Sequence, residues 1–198
     1  MEKLIIRRAA VLGAGVMGAQ IAAHLANADV PVLLFDLPAP AGDKNGIVNK
    51  ALQGLAKLDP APLAARDRGR FIDAANYDEH LPKLAECDLI IEAIAERMDW
   101  KRDLYARIAP HVAAGAIIAS NTSGLSIDGL AEVLPASLRP RFCGIHFFNP
   151  PRYMYLVELI NTPTTRPEVI DQLEGFVTTA RSEEHTSELQ SHSFISYA

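Results

Sequence analysis

Short apolar runs alternate with longer stretches in which apolar residues recur every three or four positions, and the alternation continues along most of the chain. The runs at 8–12, 30–35, 71–75, 87–95, 116–119, 141–148 and 155–160 predict strands, 71–75 being the weakest. The stretches at 16–27, 44–57, 98–109, 127–134 and 167–180 predict helices. Asp59-Pro60 closes the second helix, a short helix follows it, Pro110 stops the third, and Ser126 is placed to cap the fourth. Strand and helix in turn indicate a doubly wound α/β fold with a mostly parallel sheet and, where 155–160 folds back on 141–148, a C-terminal antiparallel strand. In such folds ligands bind beyond the carboxyl ends of the strands.

Composition narrows the function classes. The 198 residues are 49% hydrophobic, enough to bury a core, and 12 glycines with 13 prolines are too few for a low-complexity chain. The net charge of −5 has the wrong sign for neutralising phosphate backbones, so no nucleic-acid partner is expected. Cys87 and Cys143 sit in apolar stretches and suit a reducing cytosol. No apolar run approaches the roughly 18 to 20 residues that span a bilayer, and Arg7 and Arg8 interrupt the one candidate leader. A cytoplasmic protein without a membrane partner is expected.

Gly13-Ala14-Gly15-Val16-Met17-Gly18 follows a predicted strand and opens a predicted helix. In that setting Gly13 permits the tight turn, Gly15 lets the backbone approach a pyrophosphate, and Gly18 lets helix and strand pack closely. The helix N-terminus offers N–H groups and positive partial charge to phosphates. Asp36 ends the next strand, 18 residues beyond Gly18, where a carboxylate accepts ribose hydroxyls and repels a 2′-phosphate. NAD is therefore favoured over NADP; the plainer reading makes the glycines a turn and Asp36 a loop cap.

His146-Phe147-Phe148-Asn149-Pro150-Pro151 places an imidazole, suited to reversible proton transfer, at the end of an apolar strand. If the two last strands fold around a turn near Arg152, His146 opposes Glu158, and opposed Cβ atoms in such a pair stand about 4.5 to 5.5 Å apart. A carboxylate there fixes the ring tautomer and favours the imidazolium. Glu158 shares its side-chain parity with Leu156 and Ile160, so it needs a partner. Ser123, ending Ser120-Asn121-Thr122-Ser123, serves equally as a donor to a substrate oxygen or as turn chemistry. Glu96 and Lys101 lie on the cofactor side, with solvated surface as their default reading. His24 lies within the first helix, His80 and His111 have no convergent partners, and no pair shows metal-ligand spacing with an adjacent acid, so no metal is expected.

Together G-A-G-V-M-G with Asp36, I-E-A-I-A-E at 91–96, S-N-T-S at 120–123 and H-F-F-N-P-P followed by L-V-E at 156–158 resemble the NAD-binding domain of 3-hydroxyacyl-CoA dehydrogenases. The resemblance covers residues 8–180 and is nearer the multifunctional β-oxidation proteins than the short enzymes. It implies oxidation of a (3S)-3-hydroxyacyl-CoA to the 3-ketoacyl-CoA, with hydride passing to NAD. His146 would be the base, Glu158 its dyad partner, and Ser123 a donor to the substrate oxygen. Gly13, Gly15, Val16, Met17, Gly18, Asp36, Ile94, Glu96, Lys101, Asn121 and Asn149 would form the cofactor site, with Asn149 against the nicotinamide.

Such proteins continue into a helical domain that dimerises and covers the acyl chain. That substrate domain is expected to be absent here, so low activity follows, with a homodimer only where the domain is present. Arg181–His192 resembles a translated sequencing-library adapter, and 181–198 is set outside the fold, leaving 1–180 as the domain. Two alternatives accompany this reading. One is a non-catalytic NAD-binding fragment; the other is a β-hydroxyacid dehydrogenase sharing the G-x-G-x-M-G opening, which would need a catalytic lysine in a later helix.

Overall fold

A computed structural model describes residues 4–184 and 195–197. Its strands are β1 (Ala9–Leu12), β2 (Val32–Asp36), β3 (Ile72–Asn76), β4 (Leu89–Glu92), β5 (Ile117–Ser120), β6 (Phe142–Phe147), β7 (Val157–Ile160) and β8 (Ile195–Tyr197). The helices are α1 (Val16–Asn27), α2 (Gly46–Leu55), α3 (Met98–Ile108), α4 (Ile127–Val133) and α5 (Pro167–Glu184). One sheet holds every strand in the order β3-β2-β1-β4-β5-β6-β7-β8. All neighbours are parallel except β6 and β7.

The apolar runs are buried strands because both sheet faces are covered. Ala9, Val11, Leu34, Ile91 and Ile145 pack toward Ile21 and Leu25 of α1 and Leu173 of α5, while Leu12, Phe35, Ile90 and Ile118 pack toward Tyr105 of α3 and Leu130 of α4. Fully burying one such aliphatic side chain is worth about 1.5–3 kcal/mol, several times the spread of helix propensities, so packing decides these elements. The short helix expected after Pro60 is a 3₁₀ turn at Arg66–Phe71. A second 3₁₀ turn at Leu81–Glu86 escaped the pattern because six residues carry less than two periods.

The C-terminal boundary differs from expectation. Helix α5 runs through Glu184, and Ile195–Tyr197 joins the sheet beside β7, with Val157 opposite Ile195. Without β8 the outer edge of β7 would present N–H and C=O groups that an extended segment can take. The remainder of 181–198 lies outside the described residues. Among the described residues no helix is long and apolar enough to cross a membrane, and no group of His, Cys, Asp and Glu side chains could hold a metal ion.

One contact fixes where α1 leaves the sheet. Gly13 has φ +107°, a region that favours glycine, and a Cβ on Gly18 would stand 1.8 Å from the Gly13 carbonyl oxygen. That neighbour is backbone and cannot turn aside. Gly18→Ala is therefore expected to lower stability by more than about 2 kcal/mol in chemical denaturation, at the upper end of the usual overpacking cost. A loss under about 0.5 kcal/mol would show that the close approach is not needed.

Candidate active site

The sheet register sets out the site. Phe35, Leu12, Glu92, Ser120 and Gly144 form one hydrogen-bonded row across β2, β1, β4, β5 and β6. Asp36, Gly13, Ala93 and Asn121 stand one residue beyond that row, and Ala14, Ile94, Thr122 and His146 stand two beyond it. The connections diverge between β1 and β4, which opens a crevice there.

The glycine turn lies in that crevice. Asp36 accepts the Ala14 N–H at 2.7 Å through one oxygen and the Leu37 N–H at 2.7 Å through the other. The carboxylate thus braces the turn, as the plainer reading had it, and also lines the cavity of the crevice. Gly15 is exposed, and a Cβ there would meet nothing within 4 Å. Helix α1 begins with no side-chain cap and no acidic residue in its first turn, leaving its positive end open. Val16 is 70% exposed beside it, and Met17 is half-buried. These features fit a dinucleotide: open space over Gly15 for a pyrophosphate and a carboxylate at the β2 end for ribose hydroxyls.

A cavity of about 530 Å³ continues from Gly13 and Asp36 past Tyr77 and Ile94 to Trp100 and Arg107. Its size and mixed lining suit a heterocycle. Arg107 donates to the Tyr77 carbonyl at 2.8 Å and to Asp78 at 2.9 Å. Burial, with Asp36 and Glu92 near, pushes the Tyr77 phenol far above its ordinary range, so it stays neutral.

At the other side, β6 and β7 pair with Gly144 opposite Ile160 and His146 opposite Glu158. The His146 Nδ1 lies 2.9 Å from Glu158 Oε2, and both side chains are half-buried on the α4 face of the sheet. The Phe148 ring flanks the imidazole at 4.4 Å. Asn121 accepts the Phe147 N–H at 2.9 Å, which ties β5 to the end of β6. The Asn149 Oδ1 accepts from Gln20 Nε2 of α1 at 3.1 Å, so the segment after His146 is fastened to the helix that starts at the glycine turn.

The loops after β4 and β5 meet through Glu96. Its carboxylate accepts from Thr122 Oγ1 at 2.6 Å and from the Ser123 N–H at 2.9 Å. Burial alone would raise the Glu96 carboxyl, but the Thr122 and Ser123 hydrogen bonds and the Lys101 charge outweigh it and hold it below the usual carboxylate range. Turn chemistry falls to Thr122, which accepts the Leu125 N–H at 3.1 Å, and to Ser126, which accepts the Gly129 N–H at 3.2 Å as the α4 cap. The exposed Ser123 hydroxyl makes a longer contact, donating to Glu96 Oε1 at 3.5 Å.

Lys101 differs from expectation. Rather than lying in solvent or offering surface to a ligand, it is 0% exposed, with its ammonium 2.6 Å and 2.8 Å from the two oxygens of Glu92. Glu92, Ser120 and Thr122 stand inside the sequence motifs with no role of their own expected there, and Tyr105 lies outside them. A carboxylate ending the apolar run L-I-I-E was a readable signal, since it needs buried donors just as Glu158 does.

Residues 8–183 match the 3-hydroxyacyl-CoA dehydrogenase, NAD binding domain family. The chain belongs to that family. A probable 3-hydroxyacyl-CoA dehydrogenase of Deinococcus radiodurans is 43% identical over 172 residues, covering 86% of this chain and 50% of that protein. A putative fatty acid oxidation complex trifunctional enzyme of Rickettsia felis is 44% identical over 174 residues, covering 87% of this chain and 24% of that protein. The crystal structure of 3-hydroxybutyryl-CoA dehydrogenase from Escherichia coli K12 has a TM-score of 0.75 at 31% identity, covering 89% of this chain and 37% of that one. The chain thus spans a quarter to a half of the length of the curated relatives it matches. As a member of that family the chain is an NAD-binding domain, and the features of the crevice described above fit the cofactor.

Two tests address that crevice. Gly15→Ala should cost at most about 1 kcal/mol of stability, the difference between glycine and alanine at a helix cap, yet weaken NADH binding at least about 10-fold in calorimetry. Unchanged affinity would place the pyrophosphate elsewhere. Because the folded Glu96 carboxyl lies below its unfolded value, its stabilisation is present above the unfolded value near 4.3 and is lost as pH falls through the lower folded value. Glu96→Gln should therefore melt below the parent at pH 7, with the gap closing toward pH 3. A constant gap would contradict the assignment.

Proposed function

We propose that this chain is the cofactor-binding and proton-transfer part of an NAD-dependent dehydrogenase of fatty-acid β-oxidation, converting (3S)-3-hydroxyacyl-CoA to 3-ketoacyl-CoA. The observation that supports it most is the 2.9 Å His146–Glu158 pair, which stands at the carboxyl end of β6, the same end of the parallel strands as the glycine turn after β1. Bound nicotinamide supplies the hydride acceptor for C3 of the substrate.

The chain's own groups handle the proton. With Nδ1 donating to Glu158, the His146 Nε2 presents a lone pair to the 3-hydroxyl and takes its proton as C3 is oxidised. Glu158 then faces an imidazolium and stabilises it, and in the reducing direction the same nitrogen returns the proton. The Ser123 hydroxyl donates to the substrate oxygen as it gains carbonyl character, its backbone fixed by Glu96. Asn149, fastened by Gln20, limits where the nicotinamide lies and so orients the transferring face. Asp36 sets the preference for NAD, since a 2′-phosphate would crowd its carboxylate.

The reading is tested by acetoacetyl-CoA-dependent consumption of NADH with the chain in excess over NADH, so that slow turnover is still measured. His146→Gln should lower the rate about 10² to 10⁴-fold while NADH binding stays within about twofold of the parent. Equal rates in variant and parent would remove His146 from the chemistry. In parallel, Asp36→Ala should lose the preference for NADH over NADPH, and an unchanged preference would place that selectivity elsewhere.

A further inference from the structure

We propose that Arg152 is a positioning residue for the nicotinamide end of the site: by tying the β6–β7 connection to the connection between α2 and β3, it fixes the backbone that carries Asn149. The inference rests on the reading above that Asn149 lies against the nicotinamide. His146 and Glu158 are held by the ladder itself, whose last rung at the carboxyl end of β6 pairs Phe147 with Val157. Asn149 lies beyond that rung, so its placement depends on what holds the connection from outside.

Contacts on two sides do so. The Asn149 Oδ1 accepts from Gln20 Nε2 of α1, and the Pro150 carbonyl accepts the N–H groups of Tyr153 and Met154, each at 3.0 Å, which turns the chain back on itself. The Arg152 Nη1 then donates to the Ala61 carbonyl at 2.9 Å and to the Leu63 carbonyl at 3.3 Å, and Tyr153 Oη donates to the same Ala61 carbonyl at 2.9 Å. Residues 61–64 are held in turn by the buried Asn27, the last residue of α1, which donates to the Pro62 carbonyl at 2.9 Å and accepts the Ala64 N–H at 2.8 Å. Gln20 and Asn27 lie about 10 Å apart along the helix axis at about 1.5 Å per residue. The connection is thus anchored on one helix at two points, directly at Gln20 and through residues 61–64 at Asn27. Two anchors fix both the place and the direction of a segment, where one would leave it free to pivot. A planar guanidinium suits the second anchor, because its donors diverge at fixed angles, and it also lies over the Tyr153 ring, 5.2 Å from its centre. None of these residues lines the cavity that runs from Gly13 and Asp36 to Trp100. The anchor therefore bears on the nicotinamide end of a bound dinucleotide and not on its adenosine end.

The test compares, by calorimetry, the binding of NADH with that of ADP-ribose, which lacks only the nicotinamide ring. Arg152→Met keeps an aliphatic stem and removes the donors. It should weaken NADH at least about fivefold and leave ADP-ribose within about twofold of the parent. In an Asn149→Ala background the same substitution should change NADH binding less than about twofold, since the group it positions is gone. Both ligands weakened equally, as a merely structural role would give, would overturn the proposal. So would unchanged NADH binding, or an undiminished effect in the Asn149→Ala background. If Arg152→Met does not fold, Tyr153→Phe, which removes one donor, should show the same selectivity at about threefold; equal loss of both ligands, or loss of neither, would again overturn the inference. A parent that binds ADP-ribose as tightly as NADH would instead defeat the placement of the nicotinamide itself, and the inference with it.

Discussion

The alignment of strand ends in the parallel sheet is the constraint on which the site depends. Because Leu12, Phe35, Glu92, Ser120 and Gly144 share one row, residues one and two positions beyond it emerge together, although more than a hundred residues of chain separate the first from the last. A slip of one residue in any pair would turn its side chains to the opposite face. Burial on both faces specifies that register strongly, since each apolar residue has a helix waiting for it on only one side. The chemistry thus inherits its precision from aliphatic packing well below it.

Polar contacts complete what packing begins. The crevice is crossed by three ties: Asp36 to the glycine turn, Glu96 to the loop after β5, and Asn149 to Gln20 of α1. Each uses a charged or amide group to hold backbone or side chain at the rim, where apolar contacts are few. Beneath them Glu92 gathers donors from α3 and β5 without access to solvent. The dyad differs in being half-open, with His146 and Glu158 each keeping part of the side chain exposed. This division suits a site in which one ligand must be held rigidly while a proton is passed to another.

Much of this was legible in the residues themselves. Strand and helix periods located every long element, and the glycine spacing with Asp36 located the turn and its brace. Placing His146 opposite Glu158 needed only a hairpin centred near Arg152, and the observed register is that one. The reading was weaker where a side chain's partner comes from a distant element. Nothing local distinguishes a solvated lysine on α3 from one whose ammonium is consumed by a carboxylate on β4, so Lys101 was misplaced. Thr122 was passed over for the same reason, its partner Glu96 lying on another loop. The edge pairing of Ile195–Tyr197 left no trace in the pattern, because three residues are too few to show a period.

The central claim is that one crevice brings a bound nicotinamide to the His146–Glu158 dyad. A crystal structure of the chain with NADH tests it most directly. The account predicts the pyrophosphate against the N-terminus of α1, the adenine in the cavity between Tyr77 and Trp100, and the nicotinamide at the end of β6 facing His146. A nicotinamide seated in the Tyr77–Trp100 cavity, or directed away from β6, would contradict it.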